Sequence, residues 1–123
     1  MNERILVVDD EVTILDICKR ALKRVGYEVV VASNVEQARG HFKEKKFDLL
    51  ILDIHMPHED GISFLKHVRS IDTALPTIII TGYPAVNTVI NSIRLNVNEY
   101  LCKPFTMGQL VESVEAALKP DSK

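Results

Sequence analysis

The sequence predicts an α/β domain in which helices cover both faces of a parallel β-sheet. Strand-like and helix-like patterns alternate five times along the chain. Such units at short spacing call for a parallel sheet joined by right-handed crossovers. The predicted strands at residues 48–53 and 78–81 are the most apolar, so we place them at the centre of the sheet, where both faces are buried. These observations predict a single doubly wound (βα)5 domain over residues 1–123.

The boundaries of the elements follow from residues that suit the ends of strands and helices. Gly26 ends the first predicted helix, and Ser33 with Glu36 forms a capping-box pattern that opens the second. Thr106 with Gln109 repeats that pattern before the last helix. The strands are predicted at residues 5–8, 27–32, 47–53, 77–81 and 97–102.

The third and fourth predicted helices are amphipathic. One follows Gly61, and the other begins at Pro84, a residue that suits the first turn of a helix. The spacing of apolar residues is that of helices packed on a sheet, and membrane-bound or partner-bound helices are the less favoured reading. The helix after Gly61 shows apolar residues at helical spacing, namely Ile62, Phe64, Leu65, Val68 and Ile71.

Composition excludes several classes of protein. With 46% hydrophobic and 26% charged residues, the 123-residue chain resembles neither disordered nor membrane-spanning proteins. The formal net charge of −2 gives no electrostatic reason to expect nucleic-acid binding. Cys18 and Cys102 lie in apolar segments and form no CxxC pair, so we expect both to be buried, reduced thiols of a cytoplasmic protein.

Chemically reactive side chains follow the predicted strands at their carboxyl ends. The first strand ends in Asp9 and Asp10, the third in Asp53, the fourth in Thr81 and the fifth in Lys103. Right-handed winding brings these ends to one edge of the sheet, where ligands bind in open α/β folds. Three carboxylates there repel one another unless one is protonated or a cation is bound, and carboxylate oxygens suit Mg²⁺. For Asp9 and Asp10 alone, a solvated acidic loop is an equal alternative.

With a metal in place, the carboxylate of Asp53 can act as a nucleophile. It is ionised at neutral pH and can take a phosphoryl group as a mixed anhydride. The cation, the Lys103 ammonium and the Thr81 hydroxyl would each offset part of the negative charge. A salt bridge is the simpler explanation of Lys103, and Thr is common in strands whatever its function.

Four motifs resemble those of one family. They are VVDDE at residues 7–11, LDIHMPHEDG at 52–61, ITG at 80–82 and YLCKPF at 100–105. In this order the chain resembles the receiver domain of a two-component response regulator over residues 4–119. The resemblance implies a flavodoxin-like fold with strand order 2-1-3-4-5.

The resemblance also implies roles for the residues at the strand ends. Asp53 would accept a phosphoryl group from the phosphohistidine of a sensor histidine kinase or a histidine phosphotransfer protein. Asp10 and Asp53 would bind Mg²⁺ directly, Asp9 would act mainly through water, and His55 would contribute its backbone carbonyl. Lys103 would pair with the phosphoryl oxygens. Such a domain is a signalling phosphoacceptor that assists its own phosphorylation and dephosphorylation, not a turnover enzyme.

A conformational switch is implied in the same way. Thr81 would swing towards the phosphoryl group and leave space into which the ring of Tyr100 turns. The face formed by the fourth helix, fifth strand and fifth helix would then meet an output domain or protein that the sequence does not identify. This face is comparatively neutral at Asn87, Asn91, Asn98 and the Gln109–Glu115 segment, which argues against dimerisation through it and leaves a phosphorylation-dependent dimer as an open alternative.

The two residues that flank the site suggest a further hypothesis. His55 follows the strand that ends in Asp53, and Tyr83 follows the strand that ends in Thr81. We hypothesise that these side chains influence the access of water to the phosphoryl group.

Three other readings compete with a receiver. A hydrolase of the haloacid dehalogenase type places a second Asp two residues after its nucleophile, where this chain has His55. A flavodoxin-like FMN binder needs a phosphate loop after its first strand, where this chain has Asp9 and Asp10. A metal-free interaction module would not need the complete set of acidic, Thr and Lys positions. Fold alone does not decide among these readings.

Overall fold

A computed structural model describes residues 2–56, 61–83 and 95–119. Its strands are β1 (Arg4–Val8), β2 (Glu28–Ala32), β3 (Leu49–Asp53), β4 (Thr77–Thr81) and β5 (Glu99–Cys102). Its helices are α1 (Val12–Val25), α2 (Val35–Glu44), α3 (Gly61–Ile71) and the C-terminal helix (Met107–Leu118). The helix predicted after Pro84, with Asn87 and Asn91, lies outside the described residues, as do positions 57–60 and the tail from Pro120.

The five strands form one parallel sheet in the order β2-β1-β3-β4-β5. This confirms the predicted strand order. It also confirms that the two most apolar strands lie inside the sheet, because β3 is the middle strand and β4 has a neighbour on each side. The register pairs Val8 with Leu52 and Thr81 with Cys102. The carboxyl ends of all five strands therefore meet at one edge.

Alternate residues of the strands enter two separate cores. On one side Leu50 and Leu52 pack with Phe64 of α3 and Ala38 of α2. On the other side Leu49 and Ile51 pack with side chains of α1 and of the C-terminal helix, namely Leu15, Cys18, Leu22, Leu110 and Val114. Because both faces are covered, every residue of β3 and β4 is buried, which explains their unbroken apolar sequences.

The caps of α1 and of the C-terminal helix are those predicted, whereas the cap of α2 is shifted. Gly26 ends α1 with φ of 115°, and Thr106 accepts a hydrogen bond of 3.0 Å from the backbone N–H of Gln109. The N-cap of α2 is Asn34 and not Ser33, since its side chain accepts a hydrogen bond of 2.8 Å from the N–H of Gln37. Asn caps a helix as well as Ser does, so the one-residue shift has little cost.

One prediction of burial was wrong. Cys18 is buried as expected, but Cys102 is exposed. It is the last residue of the edge strand β5, on the opposite face from the buried Leu101. Ile71, the last apolar residue of the pattern that predicted α3, is 61% exposed at the end of that helix. The spacing of apolar residues alone does not show which of them, at the end of a strand or helix, are left exposed to solvent.

A buried arginine that no sequence pattern singled out joins α3 to the chain before β5. The Arg69 Nε donates a hydrogen bond of 2.6 Å to the carbonyl of Leu95. Its Nη2 donates to Thr77 Oγ1 at 2.9 Å and to the carbonyl of Asn96 at 3.0 Å. Burial lowers the pKa of Arg69. The guanidinium fixes this connection at the amino edge of the sheet, opposite the acidic strand ends.

Among the helices described here, none is long and apolar enough to cross a membrane.

Candidate functional site

Three carboxylates meet at the carboxyl edge of the sheet, as the strand ends predicted. Asp9 and Asp10 follow β1, and Asp53 ends β3. One carboxylate oxygen of each residue lies within 4.8 Å of the others. Asp9 is fully buried and Asp53 is 2% exposed, whereas Asp10 is open to solvent. A divalent cation bound to oxygen ligands would fit such a cluster.

One ammonium group faces this cluster. Lys103 Nζ lies 3.1 Å from Asp9 Oδ2 and 3.1 Å from Asp53 Oδ2. It lies 2.5 Å from Glu11 Oε1. Burial alone would lower the pKa of Lys103, but its contacts with the carboxylates of Glu11, Asp53 and Asp9 outweigh this effect and raise that pKa. The Lys103–Pro104 peptide bond is cis.

The carboxylate of Asp9 carries a charge that its surroundings only partly offset. Burial, and then the charge of Asp53, raise its pKa from 3.8 to about 6, against the backbone N–H of Glu11 and against Lys103. The Glu11 N–H donates to Asp9 Oδ1 at 2.9 Å. Lys103 Nζ lies 3.1 Å from Asp9 Oδ2 as an ion-pair partner, but this buried oxygen accepts no hydrogen bond from the residues in the described ranges. A buried carboxylate oxygen without a hydrogen-bond donor is suited to bind a cation or a water molecule held by that cation.

A cavity of about 340 Å³ opens beside Asp53. The backbone N–H of His55 donates to Asp53 Oδ1 at 2.8 Å. The rings of His55 and Tyr83 lie 4.8 Å apart in a T-shaped arrangement. The residues that line the cavity are Asp10, Glu11, Asp53, His55, Gly82, Tyr83 and Lys103.

The two residues predicted to act as a switch lie on the neighbouring strands β4 and β5. The hydroxyl of Thr81 accepts a bond of 2.9 Å from the N–H of Tyr83 and donates a longer one, 3.3 Å, to the carbonyl of Tyr83. Tyr100 is half-buried on β5 and packs against the core that contains Ile79 and Leu95. Burial raises the pKa of its hydroxyl.

Comparison with known proteins identifies the family. The sequence model of the response regulator receiver domain matches residues 5–115. The chain belongs to the response regulator receiver domain family. As a receiver domain it is a phosphoacceptor of two-component signalling, and this match favours the receiver over the hydrolase and FMN-binding alternatives.

Several relatives of this receiver domain are transcriptional regulators. It is 35% identical over 117 residues to the transcriptional regulatory protein ZraR of Escherichia coli (strain K12), a match that covers 95% of this chain and 26% of ZraR. It is 34% identical over 119 residues to the alkaline phosphatase synthesis transcriptional regulatory protein PhoP of Bacillus subtilis, covering 97% of this chain and 50% of PhoP. The chain therefore spans about a quarter to a half of the length of these relatives.

Solved receiver structures have the same fold. A CheY-like receiver domain protein from Methanospirillum hungatei superposes with a TM-score of 0.87 at 29% identity, covering 96% of this chain and 94% of that one. The response regulator TrrA of Thermotoga maritima, solved in complex with Mg²⁺ and BeF, gives a TM-score of 0.83 at 35% identity, covering 94% and 99% of the two chains.

The side chain of Glu11 belongs to the site although it was not predicted there. Glu11 was noted only as part of the motif after β1, yet its carboxylate lies closer to Lys103 Nζ than those of Asp9 and Asp53 do. The sequence feature that could have indicated this role is the position of Glu11 directly after two aspartates and before α1. Sequence alone does not show that its side chain turns towards a lysine from the distant β5.

Proposed function

We propose that Asp53 accepts the phosphoryl group in a site where Asp9, Asp10 and Asp53 hold Mg²⁺. The observation that carries this proposal is that the carboxylates of Asp9, Asp10 and Asp53 meet, with the ammonium of Lys103 lying 3.1 Å from Asp53 Oδ2. The residue roles come from the family resemblance, and the arrangement of these side chains supports them. We also propose that the receiver domain occupies residues 1–123 and belongs in the cytoplasm.

The acidic cluster fits the cation for two reasons. Its donors are carboxylate oxygens, the ligands that Mg²⁺ prefers. The oxygen Oδ2 of Asp9 is buried and lacks a hydrogen-bond donor among the described residues. Asp10, Asp53 and the backbone carbonyl of His55 would hold Mg²⁺, and Asp9 would act through water. When bound, Mg²⁺ would offset the charge of the phosphoryl oxygens.

The transfer itself needs an ionised and oriented Asp53. An oxygen of its carboxylate forms a bond to phosphorus as the P–N bond of a phosphohistidine breaks. The imidazole nitrogen keeps the electron pair of that bond and takes up a proton. The N–H of His55 holds Asp53 Oδ1 at 2.8 Å, which fixes the plane of the carboxylate. The ammonium of Lys103 is placed to pair with the phosphoryl oxygens.

Signal output follows from a change in hydrogen bonding of Thr81. Its bond to the carbonyl of Tyr83 is long, at 3.3 Å, so a phosphoryl oxygen is a competitive acceptor for the same hydroxyl. In the proposed switch Thr81 turns to the phosphoryl group and Tyr100 moves into the space it leaves. Such a charge change at one site biases a two-state element elsewhere.

The partners of the domain follow from the same proposal. The donor is a sensor histidine kinase or a histidine phosphotransfer protein. The receiver of the signal is an output domain or protein, and the longer relatives ZraR and PhoP are transcriptional regulators. We propose no direct contact of this domain with nucleic acid or membrane. Dimerisation on phosphorylation stays a prediction, since part of the face concerned, residues 84–94, lies outside the described ranges.

Incubation with acetyl phosphate and Mg²⁺, followed by intact-mass measurement, tests the proposal. The wild-type protein is expected to gain one phosphoryl group, and both Asp53→Asn and addition of EDTA should abolish the gain. Asp16→Asn is the matched control, because Asp16 pairs with Arg20 on the surface of α1 and its variant should be labelled normally. No gain by the folded wild-type protein would favour the metal-free interaction module instead.

A further inference from the structure

Lys103 is shared among three carboxylates that differ greatly in their freedom to move. The side chains of Asp9 and Asp53 are 0% and 3% exposed, while that of Glu11 is 55% exposed. Glu11 nevertheless makes the shortest of the three contacts, 2.5 Å. The carboxylate that can most easily turn to water is thus the one that holds the ammonium most closely.

The position of Glu11 in the chain does not account for this contact. Glu11 is the N-cap of α1, but its side chain makes no capping hydrogen bond, and Glu is not among the favoured N-cap residues. The cap is built from the backbone, because the Glu11 carbonyl accepts from the N–H groups of Ile14 and Leu15 at 3.0 and 3.1 Å. The side chain of Glu11 is therefore available to pair with Lys103.

We propose that Glu11 is a positioning residue that competes with the phosphoryl group for Lys103. In the unphosphorylated site it holds the ammonium, and it releases Lys103 and turns to solvent when a phosphoryl group on Asp53 supplies new acceptor oxygens. Asp9 and Asp53 are buried and cannot leave, so Glu11 is the partner that is exchanged. This inference rests on the proposed function of Asp53, and it makes Glu11 a brake on phosphorylation.

The test is the rate of phosphorylation by acetyl phosphate at saturating Mg²⁺, followed by intact mass. Glu11→Gln removes the charge and keeps the size of the side chain. Since a partly exposed ion pair is weak, the rate should rise about twofold to fivefold. Glu11→Ser should give a similar gain although Ser can cap α1, which separates charge from helix stability. Asp16→Asn removes a charge from the same helix away from Lys103 and should leave the rate unchanged.

Two further readouts separate competition from a merely structural role. The gain in Glu11→Gln should shrink as salt rises from about 0.05 to about 1 M, because screening weakens exposed ion pairs. In the metal-free protein, the NMR signal of the Lys103 ammonium should shift in both Glu11 variants and stay in place in Asp16→Asn.

The outcomes distinguish this inference from the function on which it rests. Unchanged or slower phosphorylation of both Glu11 variants, with normal labelling of the wild type, would overturn the competition and leave the role of Asp53 intact. An unmoved Lys103 signal would do the same. A folded wild-type protein that takes no phosphoryl group would overturn both.

Discussion

At Asp9 the proposed metal site needs an ionised carboxylate, whereas the stability of the fold favours a protonated one. Its carboxylate is fully buried, it lies beside Asp53, and its pKa is raised from 3.8 to about 6. An acid with a raised pKa in the folded state binds its proton more tightly there than in the unfolded chain. In the absence of a cation, ionising Asp9 therefore costs stability near neutral pH.

This cost predicts a pH dependence for metal-free protein in EDTA. The contribution of Asp9 is fully present below pH 3.8 and is lost as pH rises to about 6, a loss of roughly 3 kcal/mol in the free energy of unfolding. Asp9→Asn cannot ionise and should escape this loss. Urea unfolding of both proteins from pH 4 to 8 measures it. The difference between the variant and the wild type should grow with pH up to about 6 and then stay level, and parallel stability curves would contradict the raised pKa.

We predict that the aromatic pair His55 and Tyr83, which lines the cavity, lengthens the lifetime of the phosphoryl group on Asp53. The ring of Tyr83, 64% exposed, packs edge-on against His55 at 4.8 Å, beside Asp53. Removing either ring should let water reach the site more easily and shorten the half-life several-fold. Dephosphorylation of His55→Ala and Tyr83→Ala, timed after removal of acetyl phosphate, is the measurement. Half-lives equal to that of the wild type would remove both residues from this role.

At the residue scale, the sequence predicted which side chains meet but not how they pair. Asp9, Asp53 and Lys103 were predicted to converge because right-handed crossovers bring parallel strand ends together. The pairing of Lys103 with Glu11 depends on where a flexible side chain turns, and the orientation of Thr81 depends on the backbone of Tyr83. Local patterns contain neither piece of information.

At the scale of elements, the start of α3 is packed tightly against the strand that carries Asp53. A Cβ atom on Gly61 would lie 2.6 Å from the Cα of Ile54 and 3.2 Å from the carbonyl oxygen of Asp53. These are backbone atoms and cannot move aside as a flexible side chain would. The glycine is therefore required by close approach, at a position where the sequence pattern indicated only the end of a loop.

A pair of glycine substitutions tests this packing. Gly61→Ala should lower the free energy of unfolding by about 1–3 kcal/mol through overpacking and should slow phosphorylation of Asp53. Gly40 lies within α2, and a Cβ atom added there would meet nothing within 4 Å, so Gly40→Ala should raise stability by about 0.5–1 kcal/mol. Denaturant unfolding compares the two. Equal effects of the same sign would show that close approach at Gly61 is not the cause.

Two other features of the helices could not be predicted from sequence patterns. The shift of the α2 cap from Ser33 to Asn34 exchanges two residues of nearly equal capping strength. Arg69 was not singled out, because an arginine in a helix is usually exposed. Its burial follows from three acceptors supplied by the distant Thr77, Leu95 and Asn96, which only the folded chain brings together.

At the scale of the whole molecule, the fold class was predictable because alternation and apolar strands leave few arrangements. The strand order was not contained in that alternation and came from the resemblance to receiver domains. The structure confirms the order, and the register explains why the acidic and basic strand ends share one edge. The domain spans only part of its longer relatives.

Chemical trapping can show whether Asp53 is the residue that carries the phosphoryl group. After treatment with acetyl phosphate and Mg²⁺, borohydride reduces an aspartyl phosphate to homoserine, and peptide mass spectrometry locates the change. We predict homoserine at position 53 and unmodified aspartate at positions 9 and 10. Reduction at Asp9 or Asp10, or a phosphorylated protein with no residue reduced, would contradict the assignment of Asp53.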